Sequence, residues 1–188
     1  MLVEIIIPTY DRPAQLISML SSLIVQTDPG WGAHVIIDNL DGDHVIKIVE
    51  SFGDTRIKWT KLTERYNDWG HTPREVGKQQ SEADYIIMSG DDNYYVPVLV
   101  EEIRRATLDK PGMVYWDMVH SHYNYGYFKC APAICQIDMG SFATRRDVAQ
   151  SIKLGTGFAA DGEYVEEFKV KNPLERIVKI EKVLFVHN

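Results

Sequence analysis

The sequence predicts a doubly wound α/β fold around a mixed but mainly parallel sheet. Three observations carry that expectation. Strand-like and helix-like segments alternate through its first half. Residues 2–8 form a near-continuous apolar run, as expected of a central strand buried on both faces. The expected strands end in polar clusters, Thr9-Tyr10-Asp11, Asp38-Asn39 and Gly90-Asp91-Asp92-Asn93, where open parallel sheets place their ligands.

After the first strand, Asp11 and Pro13 open a helix that runs to Gln26, with Leu16, Met19, Leu20 and Leu23 at helical spacing. Residues 33–38 read as the second strand, 44–52 as a helix and 56–61 as the third strand. Thr72-Pro73-Arg74-Glu75 has the form of a capping box with proline at the first helical position, so a helix is expected from Thr72 to about Glu82. Residues 84–88 form the fourth strand, and Pro97 opens a helix through Thr107. Beyond Gly112 come shorter, aromatic-rich strands at 113–117, 121–128 and 133–137, helices at 145–153 and 162–169, and a last strand at 177–186. No linker interrupts the chain. One domain is expected over 1–188, in two halves, 1–111 and 112–188.

The 188 residues are 45% apolar and carry a formal net charge of −7. No long Lys/Arg run exists, which argues against a nucleic-acid partner. The two cysteines, Cys130 and Cys135, are too few for a disulfide framework or a four-cysteine zinc site. Glu4 breaks the short apolar N-terminus and no cleavage site follows, so it is not a signal peptide, and no stretch has the length of a membrane span. A cytoplasmic protein without a membrane anchor is expected.

The strand-end residues would share one crevice. The helix at Thr72 presents its N-terminus there, with Arg74 in its first turn, a ready site for phosphate. Aspartates facing phosphates repel unless a divalent cation lies between them, so Mg²⁺ or Mn²⁺ is expected. Other phosphate motifs are missing. No Gly-x-Gly-x-x-Gly follows the first strand, Gly77-Lys78 lacks the rest of a P-loop, and residues 38–43 lack the spacing of an EF-hand.

Four segments together resemble family 2 glycosyltransferases with the GT-A fold, a Rossmann-like single domain. They are IIIPTYDRPAQL; VIIDN; GHTPREVGKQQSEADYIIMSGDDNYYVP; and, more loosely, GSFATRRDV with AADGEYVEEF and VLFVHN. The resemblance implies transfer of a sugar from a nucleotide-sugar donor, typically a UDP-sugar, with inversion, to an acceptor that is a glycan, a lipid-linked molecule or a protein. It implies that Pro8, Thr9, Tyr10 and Asp38 hold the nucleoside and that Arg74 approaches the base or diphosphate. Asp92, helped by Asp91, would bind the metal, with His187 as a further ligand. Asp161 or Glu163 would be the catalytic base. The chain departs from the family in reading Gly90-Asp91-Asp92 at the metal motif and Ala160-Asp161-Gly162-Glu163 at the base motif, and in being short.

Blander readings stand beside these. Asp161 suits a helix N-cap, Asp38 a turn. His120 and His122 alternate on an expected strand near Asp117 without a convincing third metal ligand. Tyr123, Tyr125 and Tyr127 suit sheet packing or a sugar platform. The rival functions are a sugar nucleotidyltransferase, disfavoured because Pro8-Thr9-Tyr10-Asp11-Arg12-Pro13 stands where a glycine-rich loop belongs, and a non-catalytic nucleotide- or sugar-binding module.

Overall fold

The computed structural model describes residues 1–188. In chain order its elements are β1 (Val3–Thr9), α1 (Pro13–Ile24), β2 (Trp31–Ile37), α2 (Asp43–Ser51), β3 (Ile57–Lys61), α3 (His71–Gln80), β4 (Tyr85–Met88), β5 (Tyr94–Tyr95), α4 (Leu99–Ala106), β6 (Met113–His120), β7 (Gly126–Phe128), β8 (Phe142–Arg145), α5 (Arg146–Ser151), α6 (Ala160–Lys171) and β9 (Ile177–His187). One sheet runs β3-β2-β1-β4-β8-β6-β9-β5, with β7 on the side of β6. β1 to β4 are mutually parallel, β8 is antiparallel to both neighbours, and β6 and β9 are parallel.

The apolar run of β1 is explained by burial on both faces. Val3, Ile5 and Ile7 pack with Leu16, Met19 and Leu20 of α1 on one side, while Ile6 joins Ile36, Met88 and Phe142 on the other. Each such side chain contributes about 1.5–3 kcal/mol when fully buried. α3 lies very close to the sheet, because a Cβ on Gly77 would sit 2.4 Å from Ile6 Cγ2. The helix presents its N-terminus beside the ends of β1 and β4 through that close approach.

The two halves meet along a short seam, in which only Tyr85↔Arg145 and Ile86↔Thr144 pair β4 with β8. The sheet also curls. β5 pairs with β9 at the far edge, yet the Tyr95 hydroxyl bridges Ser89 Oγ (3.0 Å) and the Gly140 carbonyl (2.9 Å), beside the end of β4.

Several expectations need correction. Thr72 does not cap α3. The helix starts at His71 after Gly70, whose φ of 81° suits glycine, and the Asp68 carboxylate accepts from both the Thr72 N–H (2.9 Å) and its hydroxyl (2.6 Å). Residues 121–128 are not one strand, since Asn124 and Tyr125 adopt left-handed φ and split them into a 3-10 turn and β7. Residues 133–137 form no strand, and Cys135 there is also left-handed. Residues 142–145, read partly as helix, form β8, whose inward side chains fill the seam. No helix is long and apolar enough to cross a membrane.

Candidate functional site

The carboxyl ends of β1, β2 and β4 surround a cavity of about 360 Å³. Pro8, Thr9, Tyr10, Asp38, Arg74, Asp91 and Asp92 all line it, so these predicted residues come together. Thr9 Oγ1 donates to Asp91 Oδ2 (2.7 Å). Burial pushes the Asp91 carboxyl pKa up, against the opposing effects of that hydrogen bond and of Arg12.

Asp91 and Asp92 converge on one cation. Arg12 Nη1 lies 2.5 Å from Asp92 Oδ2 and 3.5 Å from Asp91 Oδ1. That guanidinium shows that two carboxylates share a single cation position at the mouth of β4. No group of three or more His, Cys, Asp or Glu side chains is arranged to hold a metal ion. A cation that takes two protein oxygens and completes its shell with other oxygen ligands needs no third side chain, so the pair would suit Mg²⁺ or Mn²⁺.

Arg74 faces the same space from the first turn of α3. Its Nε donates to the Ser89 carbonyl (2.7 Å) and its Nη1 to the Trp69 carbonyl (2.9 Å), and burial draws its pKa down. Asp38 lines the cavity and also has a structural duty. Its two oxygens accept the backbone N–H groups of Tyr66 (2.9 Å) and Asn67 (3.1 Å). It therefore sets the loop 62–70 that walls the cavity with Arg65, Asn67, Trp69 and Gly70. The Arg65 guanidinium lies 3.9 Å from the Tyr10 ring centre.

On the same face of the sheet as α3, Asp161 is the second residue of α6 and Ala159 is its N-cap, so Asp161 is not the cap. Asp161 Oδ1 accepts the Gly162 N–H (2.7 Å). Burial pushes its pKa up to about 6, with the carboxylate of Asp138 adding to the rise. Glu163 is exposed and lines a separate shallow cavity with Gly155 and Thr156, so the structure does not bring it to the cavity at the strand ends.

His187 closes β9. Its Nε2 is 3.7 Å from Asp138 Oδ2, its Nδ1 is 3.2 Å from Ser121 Oγ, and its ring stacks on His120 at 4.2 Å. His122 lies in the 3-10 turn rather than on a strand face with His120. The last residue, Asn188, donates its N–H to Asn93 Oδ1 (3.4 Å), which seats the end of β9 beside Asp92.

Sequence reasoning missed Arg12, Arg65, Asn67, Trp69 and Asp138. For Asp138 a signal existed: Asp138-Met139-Gly140-Ser141 is a capping box, and the structure forms it. Arg12 follows the first strand in the sequence, but nothing in its spacing marks it as the partner of Asp91 and Asp92. The loop residues carry no periodic signal.

No family model matches the sequence. A Haemophilus influenzae protein named an uncharacterized glycosyltransferase is 24% identical over 112 residues, 60% of this chain and 36% of its own length. The structure resembles that of S. aureus TarS 1–349 with a TM-score of 0.81 and 18% identity, covering 100% of this chain and 60% of the other. TarS has also been solved with UDP (TM-score 0.81, 16% identity) and with UDP-GlcNAc (0.79, 16%). A mannosyltransferase from Pyrobaculum calidifontis, in complex with GDP-Man and Mn²⁺, matches with a TM-score of 0.75 and 17% identity over 98% of this chain and 56% of its own. The chain thus spans about a third of the curated relative and about three fifths of these solved chains. It has the α/β fold of the GT-A glycosyltransferases.

Proposed function

We propose that the chain is a family 2 glycosyltransferase that moves a sugar from a nucleotide-diphosphate donor to an acceptor. One observation carries the reading: two carboxylates share a cation position at the carboxyl end of the parallel strands, in a cavity faced by Arg74. The relatives' ligands, UDP, UDP-GlcNAc and GDP-Man with Mn²⁺, support it. UDP is the donor nucleotide we favour. The two cysteines are unpaired, which fits a reducing, cytoplasmic setting.

Asp91 and Asp92 would hold Mn²⁺ or Mg²⁺, which when bound offsets the charge of the departing diphosphate. Arg12 must swing off the carboxylates to admit it and then meets the phosphates as a second cation, alongside Arg74. On the acceptor side, Asp161 receives the proton of the acceptor hydroxyl as that oxygen attacks the anomeric carbon. The bond from that carbon to the diphosphate oxygen breaks on the opposite face, which inverts the configuration. A pKa near 6 leaves Asp161 ionised at neutral pH yet basic enough to take that proton. Its half-buried place on α6, where Glu163 is exposed, supports Asp161 as the base. His187, held by Asp138 and Ser121 beside the Asn188–Asn93 contact, would approach the cation from the end of β9.

The test is isothermal titration of UDP and GDP, with Mn²⁺ or with EDTA, into the protein and into Asp92→Ala. UDP binding that needs Mn²⁺ and falls at least about tenfold in the variant supports the reading. If neither nucleotide binds under either condition, it fails.

A further inference from the structure

The mouth of the donor cavity carries an aromatic ring that is largely uncovered. Trp69 is 77% exposed, whereas Trp31 and Trp116 are fully buried. Its backbone is far from free. φ is 56°, a left-handed conformation that bulky residues rarely adopt. The Trp69 carbonyl accepts from Arg74, the N–H of Asn67 is held by Asp38, and Gly70 packs so closely that a Cβ there would lie 2.8 Å from the Pro8 ring. The main chain is thus clamped on both sides while the indole stands in water, meeting only the edge of His71 (6.4 Å between ring centres). A strained, fixed backbone that holds out a large apolar face is what a ligand-covered side chain requires.

The other aromatic ring lining the cavity, Tyr10, already has the Arg65 guanidinium over its face. The acidic pair lies at the β4 end and fixes where a diphosphate must go. Tyr10 and Arg65 stack on each other, and Asp38 at the end of β2 holds the N–H groups of Tyr66 and Asn67 just before Trp69, whereas Asp161 neighbours Asp138, near the end of β9. Of the parts of the donor, the nucleoside therefore reaches Trp69 and the sugar extends away from it.

Resting on the donor-site reading above, we infer that Trp69 is the stacking wall for the nucleobase and a determinant of nucleotide affinity. Base stacking on an aromatic side chain predicts a loss of about tenfold or more on truncation to alanine.

The experiment titrates UDP and inorganic pyrophosphate, each with Mn²⁺, into the protein, Trp69→Ala and Trp69→Phe. Expected are UDP affinity at least tenfold weaker in Trp69→Ala, largely retained in Trp69→Phe, and pyrophosphate affinity unchanged in both. Unchanged UDP affinity in Trp69→Ala, or a parallel loss for pyrophosphate, overturns the inference and leaves the donor site standing. Failure of UDP to bind the unaltered protein overturns both. A second readout uses Trp59→Phe, so that the exposed indole emission comes from Trp69 alone. UDP should shield that emission from acrylamide, and unchanged quenching counts against the stacking wall.

Discussion

Asp161→Asn should make the protein more stable and inactive at once. The Asp161 carboxyl has its pKa raised from 3.8 to about 6, chiefly by burial. A difference of roughly two units corresponds to about 3 kcal/mol between its protonation states. The side chain is only partly buried, so solvent screening reduces this to about 1–2 kcal/mol. The folded state holds the proton more tightly than the unfolded chain. The stability this contributes is complete below about pH 4 and is lost as pH rises through about 6. Asparagine cannot ionise, so at pH 7.5 the variant should gain about 1–2 kcal/mol, or roughly 2–8 °C in Tm. The gain should shrink to nothing toward pH 4. Transfer, followed as UDP release, should fall by about 10²–10⁴. In the unaltered enzyme kcat/KM should decline on the acid side with a midpoint near 6. Calorimetry from pH 4 to 8 on both proteins is the assay. A variant that is less stable at pH 7.5, or whose difference from the parent ignores pH, would refute the desolvated carboxylate. Persistent turnover would move the base elsewhere, with Glu163 next in line.

Other perturbations separate the remaining roles. Arg12→Gln removes the cation between Asp91 and Asp92, so Mn²⁺ without nucleotide should bind severalfold tighter by titration; weaker binding would mean that the pair does not form a metal site. Asp38→Ala leaves the N–H groups of Tyr66 and Asn67 without acceptors, at about 1–3 kcal/mol locally; hydrogen exchange should speed at both amides and UDP affinity should fall with it. Lys78→Met takes a fully buried ammonium from Glu75 and from the Ile152 carbonyl, and should destabilise by about 3 kcal/mol in urea unfolding; Glu75→Gln in the same chain should recover part of the loss.

The sequence announces the first half well. β1, β2, β4, α1 and α4 follow from apolar runs and helical spacing, because each is a regular element with one or two buried faces. The cluster Asp91-Asp92 was legible because it follows a buried strand. Loop 62–70 was not, since its conformation is dictated by a distant carboxylate, Asp38, and by Arg74, which no local pattern encodes. The second half misleads for similar reasons. The aromatic run 121–128 has strand propensity throughout, yet Asn124 and Tyr125 turn the chain. The tie of the Tyr125 hydroxyl to Asn188 (2.5 Å) is a contact across 63 positions. β8 is four residues long and β5 two, too short for periodicity to show. Asp161 and Glu163 could not be ranked from spacing, because only the packing of α6 decides which of them is half-buried.

The curl of the sheet has a practical side. Met1 lies by Asp84, at the start of β4, whereas Asn188 touches Asn93 just past the acidic pair. Whatever is fused after Asn188, whether an affinity tag, a fluorophore or a further domain, is delivered to the rim of the chamber lined by Asp91 and Asp92. A fusion ahead of Met1 leaves from the opposite pole. Immobilisation through the amino end should therefore leave the chamber open to substrates, and tethering through the carboxyl end offers a way to bring an acceptor, or a plug, to its door.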